Sequence, residues 1–189
     1  TSSAASDVYK RQVSAGATAN ATNITSFTAD SSTSNSGTAN LTTKVGGGTI
    51  DIGNSTTGAY SLTGLSGNDT LKGNGNADII NGGGGDDNID GRGGNDEINA
   101  GAGDDIITVS SAGQGDGDTI DGGSGTDTLS LSSGSHAFAT DAKLQNINSI
   151  TLASTSTVID LTGQTESLTI TGGAQADTIT AGSGDDIIN

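Results

Sequence analysis

An aspartate returns in the same phase of a nine-residue period along much of this chain, and no other feature limits its folding so tightly. Units begin at Gly64, Gly73, Gly82, Gly91 and Ala100; Val109 to Ala112 interrupt the register, which resumes at Gly113 and Gly122; two more units begin at Gly172 and Ala181. Position six is Asp in all nine units: Asp69, Asp78, Asp87, Asp96, Asp105, Asp118, Asp127, Asp177 and Asp186. Position eight is Leu or Ile in all nine, running from Leu71 and Ile80 to Ile179 and Ile188. Position one is Gly in seven units and position four is Gly in six, with Asn76, Asp116 and Gln175 departing. Six residues rich in Gly and Asp make a turn, because Gly reaches positive φ freely and Asp and Asn suit turn geometry. The next three, as in Asn88-Ile89-Asp90, make a short strand whose middle side chain faces one way and its neighbours the other. Two units then complete one coil of a flattened solenoid, so each unit stacks on the next but one, at about 4.8 Å, and turns alternate between two edges. The expected fold class is all-β: a parallel β-roll, or β-solenoid, with a thin core of position-eight aliphatics.

Composition explains why an ordinary core is not an option. Hydrophobic residues are 30% and aromatics 2% of 189 residues, and Trp, Met and Cys are absent. Low hydrophobicity with a net charge of −16 is a disordered composition unless something else stabilises the fold. The 32 glycines raise the entropy that folding must overcome. Twenty Asp stand against only two Glu and six Lys plus Arg. Such a surface repels phosphates, which argues against nucleic acid and anionic membranes as partners, and attracts cations. Stacked turns bring like-charged carboxylates together along each edge, which is unfavourable without a counterion. No run of about 18 apolar residues is present, so this segment is not expected to insert into a membrane.

These units resemble Gly-Gly-x-Gly-x-Asp-x-aliphatic-x, the nonapeptide of the repeats-in-toxin (RTX, hemolysin-type) family of calcium-binding repeats, over residues 64–130 and 172–189. Position two is the loosest match, with Leu65, Asn74, Arg92 and Gln114 where the family prefers Gly. The resemblance implies Ca²⁺ held between adjacent turns of one edge, by the nine position-six Asp with backbone carbonyls of the adjoining Gly-rich turns. Calcium suits that set, since it accepts six to eight oxygens and takes carbonyls beside carboxylates. The stacking pairs Asp69 with Asp87, Asp87 with Asp105 and Asp78 with Asp96. If Val109–Ala112 bulges out of one turn, Asp96 also pairs with Asp118 and Asp105 with Asp127, giving about five complete sites. Asp177 and Asp186 lack a following partner, so their sites are expected to be incomplete. The family also implies calcium-dependent folding, type I secretion as an unfolded chain, and an extracellular or cell-surface location.

Five segments are expected. Residues 1–12 resemble a translated adapter tail and are set aside as non-native. Residues 13–60 form a Ser/Thr-rich lead-in, a possible solenoid, with strand candidates at Asn23–Phe27, Leu41–Val45, Thr49–Ile52 and Tyr60–Leu62. Residues 61–131 carry seven nonapeptides. Residues 132–171 form a solenoid-like connector, with strands at Ile147–Leu152, Thr157–Leu161 and Leu168–Thr171 and one short helical turn within Ala139–Gln145. Residues 172–189 hold a second, truncated block, and the chain reads as a fragment that stops inside a pattern.

No catalytic residues are expected. His136 is the only histidine, leaving nothing for a zinc site or a Ser-His-Asp triad, and Gly-x-Ser-x-Gly and His-Glu-x-x-His are absent. Asp116–Asp127 superficially suggests an EF-hand, but Ile120 and Asp121 stand where a ligand and a Gly are needed. The doubled acids Asp86, Asp104 and Asp185 read as solvated charge, and four sequons at Asn20, Asn23, Asn40 and Asn54 as chance in a Ser/Thr-rich stretch. The leading reading is a calcium-dependent structural module of a surface-layer, adhesin or toxin-like protein, with calcium ions as its partners. Further repeats of the same chain or cell-surface polymers are additional candidate partners. The alternative is the C-terminal secretion and folding module of a protease or lipase whose catalytic domain lies elsewhere. Ice binding is set aside, because position three shows no Thr row.

Overall fold

The computed structural model describes residues 14–110, 117–138 and 140–189. The tail at 1–12 with Val13, half of the interruption (Ser111 and Ala112), the first four residues of the unit at Gly113, and Ala139 lie outside the described residues.

Strands in the described residues pair in parallel, and they form three sheets. The first sheet stacks β1 (Thr18–Ile24), β3 (Thr38–Thr43), β5 (Tyr60–Thr63), β7 (Ile79–Gly84), β9 (Glu97–Ala102), β11 (Thr119–Ser124) and β14 (Leu144–Gln145). The second stacks β2 (Ser26–Thr28), β4 (Thr49–Asp51), β6 (Thr70–Lys72), β8 (Asn88–Asp90), β10 (Ile106–Val109), β12 (Thr128–Leu131), β15 (Ser149–Leu152), β17 (Thr169–Thr171) and β19 (Ile187–Ile188). The third holds β13 (Gly134–Ala137), β16 (Thr157–Asp160) and β18 (Thr178–Thr180). Because consecutive strands fall on opposing sheets, each coil crosses from one sheet to the other and returns. The fold is a parallel β-solenoid of the β-roll type.

In-register pairing lines the aliphatics into inward columns. Leu41, Leu62, Ile80, Ile98, Ile120 and Leu144 form one. Ile50, Leu71, Ile89, Ile107, Leu129, Ile150 and Ile170 form the other. All are fully buried, and burial at roughly 25 cal/mol per Å² makes these columns the main apolar stabilisation of a core only two side chains thick. In the last strand Ile187 and Ile188 are 57% and 54% exposed.

Several local expectations are refined. Asn23–Phe27 is two strands on different sheets, because Asn23 takes φ 62 and turns the chain at Thr25. In the repeat block the two sheets are unequal. Strands on the second sheet are three or four residues, as the period suggests. Those on the first run six, because Gly83 and Gly84 continue the ladder onto Gly101 and Ala102. The interruption costs no register, since Ile106 to Val109 pair with Thr128 to Leu131. In the connector a 3-10 turn spans Asp141–Lys143, and β13 starts the third sheet, which faces the second sheet in the later coils.

Candidate metal centre

Two rows of turns flank the solenoid. On one edge the chain passes from the first sheet to the second, and Asp69, Asp87, Asp105 and Asp127 sit at the last turn position before β6, β8, β10 and β12. On the other edge Asp78, Asp96 and Asp118 precede β7, β9 and β11. The strand ladders on both sides of each turn are in register, so these residues stack. None of the seven exceeds 3% exposure. Asp177 and Asp186, in the last coils, are half-buried.

Each carboxylate divides its two oxygens between two tasks. Oδ1 accepts the backbone N–H of the residue one coil below. Asp69 N–H donates to Asp87 Oδ1 at 2.7 Å, Asp87 N–H to Asp105 Oδ1 at 2.7 Å and Asp105 N–H to Asp127 Oδ1 at 2.9 Å. On the other edge Asp78 N–H donates to Asp96 Oδ1, and Asp96 N–H to Asp118 Oδ1, both at 2.8 Å. The five pairs expected from the spacing are thus stacked neighbours, including the two that bridge the interruption. The ladder also reaches past the repeats: Gly48 N–H and Tyr60 N–H donate to Asp69 and Asp78 Oδ1, and Asp127 N–H donates to Asn148 Oδ1. Thr157 and Leu168 N–H donate to Asp177 and Asp186 Oδ1, so the last two acids stack on coils without repeats and not on each other.

The second oxygen, Oδ2, differs from one acid to the next. In Asp69, Asp87, Asp96, Asp105, Asp127 and Asp186 it is buried and makes no hydrogen bond. In Asp78 and Asp177 it is met by the N–H of Asn74 and of Gly173, each at 2.8 Å. A buried anionic oxygen without a donor is expensive. Burial therefore pushes the Asp78 and Asp87 carboxyls up to about 6 and Asp96 up to about 8, with the charge of stacked neighbours adding to the effect at Asp87 and Asp96. Burial also raises Asp105 and Asp127.

Space beside Oδ2 is kept open by glycine. A Cβ on Gly64 or Gly73 would lie 2.7 Å from Asp69 or Asp78 Oδ2. The same Cβ would run into the position-one carbonyl of the next coil, Gly82 O or Gly91 O. At Asp78 the Asn74 N–H already reaches Oδ2, but the cradle at Asp69 brings together a carboxylate oxygen and a backbone carbonyl oxygen with no proton to share. Such a set of hard oxygens, lacking nitrogen and sulfur, fits calcium. Among the described residues no three Cys, His, Asp or Glu side chains cluster as a metal site.

Structural roles appear that the spacing alone did not show. Asp86 and Asp104 are not merely solvated: Asp104 N–H donates to Asp86 Oδ1 at 3.0 Å and Thr126 N–H to Asp104 Oδ1 at 2.8 Å, an exposed ladder running opposite to the buried one. Asn74 and Asn35 seal turns below the Asp row, donating Nδ2–H to Gly58 O at 3.0 Å and Ala59 O at 2.6 Å. Arg92, at φ 66 in a position that usually takes glycine, pairs with Asp51 at 3.1 Å. The signal for Asn74 and Arg92 was their departure from Gly at position two. His136 is buried in the third sheet's inward column with Nε2 3.0 Å from Ser132 O, a core placement.

No curated protein and no solved structure matches this chain. The model of the RTX calcium-binding nonapeptide repeat does match, in four copies at residues 56–89, 82–111, 112–135 and 169–189, which together span just over half the sequence. Coil by coil, then, the stacked Asp turns are those of calcium-binding repeats, and the chain belongs to the RTX nonapeptide repeat family.

Proposed function

We propose that this segment is a calcium-dependent structural module of an exported protein, folding as ions fill its edge turns. Calcium binding and a β-roll structural role follow from the family. The nine position-six Asp are the proposed ligands, with about five complete positions at the pairs 69/87, 87/105, 105/127, 78/96 and 96/118. The observation that carries this reading is the column of buried, unpartnered Oδ2 atoms, three of which, at Asp69, Asp87 and Asp127, lie beside both a glycine and a carbonyl oxygen of the next coil. In the segmentation we propose, 61–131 is the calcium-responsive block, 13–60 its lead-in, 132–171 a connector and 172–189 a second block. Metal binding is then folding energy, because the unfolded chain has no preformed site. A secreted or cell-surface setting, surface-layer, adhesin or toxin-like, supplies the calcium this needs. The proposed role is architectural and not catalytic.

The test is a titration of the full chain followed by far-ultraviolet circular dichroism. Millimolar calcium should raise the β signal cooperatively while magnesium, which dehydrates reluctantly and demands octahedral geometry, should not. An unchanged spectrum between excess chelator and saturating calcium would refute the coupling.

A further inference from the structure

We infer that a further calcium position lies outside the repeats, between the turn at 122–127 and the short turn at 146–148, where the Asn148 amide oxygen takes the place of an aspartate. The inference rests on the reading of the Asp row as calcium ligands. Its starting point is register. Ile120 and Asp121 pair with Leu144 and Gln145 on one side of the turn, and Thr128 to Leu131 pair with Ser149 to Leu152 on the other. Asn146 is therefore stacked on Gly122, and Asn148 on Asp127.

Three features of a regular interface recur there. Asp127 N–H donates to Asn148 Oδ1 at 2.7 Å, as Asp87 N–H donates to Asp105 Oδ1 at 2.7 Å. Asp127 Oδ2 is buried with no partner, as Asp87 Oδ2 is. A Cβ on Gly122 would collide with Asn146 O and lie 2.8 Å from Asp127 Oδ2, while one on Gly82 would collide with Ala100 O and Asp87 Oδ2. The cradle between carboxylate and carbonyl is therefore repeated over a turn that contains neither glycine nor aspartate.

The differences predict how this position behaves. The upper turn has three residues instead of six, so it lacks the Gly-rich loop and its carbonyls. Its side-chain oxygen is neutral, which removes one charge from the ligand set. Asn148 is exposed, leaving room for water to complete the shell. Calcium affinity scales with ligand charge and site rigidity, so this position should be the weaker one, filling last.

Counting bound ions decides the matter. Native mass spectrometry of the full chain at rising calcium should show Asn148→Ala saturating at one ion fewer than the unmodified chain, with the same β signal. Asn148→Asp, nearly isosteric, should keep the full count and move the last binding step to about tenfold lower calcium. An Asn148→Ala chain with the unmodified count, or Asn148→Asp with an unmoved last step, overturns the proposal while leaving the repeat sites intact. An unmodified chain that takes up no calcium overturns the reading of the whole array instead. If Asn148→Ala does not fold, the Asn148→Asp titration decides alone.

Discussion

Replacing Asp87 by Asn should act in opposite directions with and without calcium. Asp87 lies between Asp69 below and Asp105 above, and all three are buried. Unit charges one strand spacing apart, about 4.8 Å, repel by about 3.5 kcal/mol at an effective dielectric of 20, so two neighbours give at most about 7 kcal/mol. Asp87→Asn removes that repulsion yet keeps an oxygen for Asp69 N–H and its own N–H for Asp105. Because protonation already relieves part of the strain, a stabilisation of about 3 kcal/mol is expected in chelator. With calcium, the pairs 69/87 and 87/105 each lose a charged ligand. An ion at a hundredfold excess over its Kd contributes about 2.7 kcal/mol, so two weakened positions cost about 5 kcal/mol. For a chain of this length that is a fall of roughly 10–20 °C in Tm in calcium, against a rise in chelator. Thermal unfolding followed by circular dichroism measures both, with trimethylamine oxide added to the chelated sample so that a transition is present. A shift of the same sign in the two conditions would refute the view that buried like charge is what calcium offsets.

Other expectations follow from the same geometry. In chelator, the raised carboxyls of Asp78 and Asp87 (about 6) and Asp96 (about 8) mean that the roll binds more protons than the unfolded chain. Their contribution to stability is full below the ordinary value of 3.8 and is lost as pH rises through 6 to 8. Acidifying the metal-free chain from pH 8 toward 5 should therefore increase β structure, and a loss of it would contradict the assignment. Gly82→Ala places a methyl against Ala100 O and Asp87 Oδ2, whereas Gly75→Ala meets nothing within 4 Å. Urea unfolding in calcium should show a loss of about 2–3 kcal/mol for the first and under about 0.5 for the second. Asp86→Ala removes the acceptor of Asp104 N–H from an exposed turn. It should cost about 1 kcal/mol in the same assay without altering the number of ions counted.

The coil architecture was legible because the period carries two signals at once. Position eight must be aliphatic to fill a core two side chains thick, and position six must be a short acceptor to meet the preceding coil's N–H. Ile89 and Asp87 satisfy both rules in one unit. The resumption after Val109–Ala112 was legible too, since Ile107 and Leu129 keep the same phase relative to their acids. The sequence did not reveal where the rule is obeyed by other residues. Asn148-Ser149-Ile150 repeats the acceptor-x-aliphatic pattern of Asp127-Thr128-Leu129, but without glycines the period is invisible. The third sheet escaped because His136 occupies an inward place that an aliphatic holds in its neighbours, Ile159 and Ile179. Asn23 turning the chain between β1 and β2 depends on a left-handed backbone that no side-chain pattern announces.

The divided carboxylate has a further consequence for how the roll comes apart. In the middle of a row an aspartate is tied to the coil beneath through Oδ1 and faces the coil above with Oδ2, so its state depends on two neighbours only. A row of such links behaves as a one-dimensional cooperative lattice, in which opening starts where a neighbour is missing. Fraying should therefore begin past Asp127, where the row of acids is continued by Asn148. A severed link at Asp87 would instead split its edge into two shorter domains, each melting on its own.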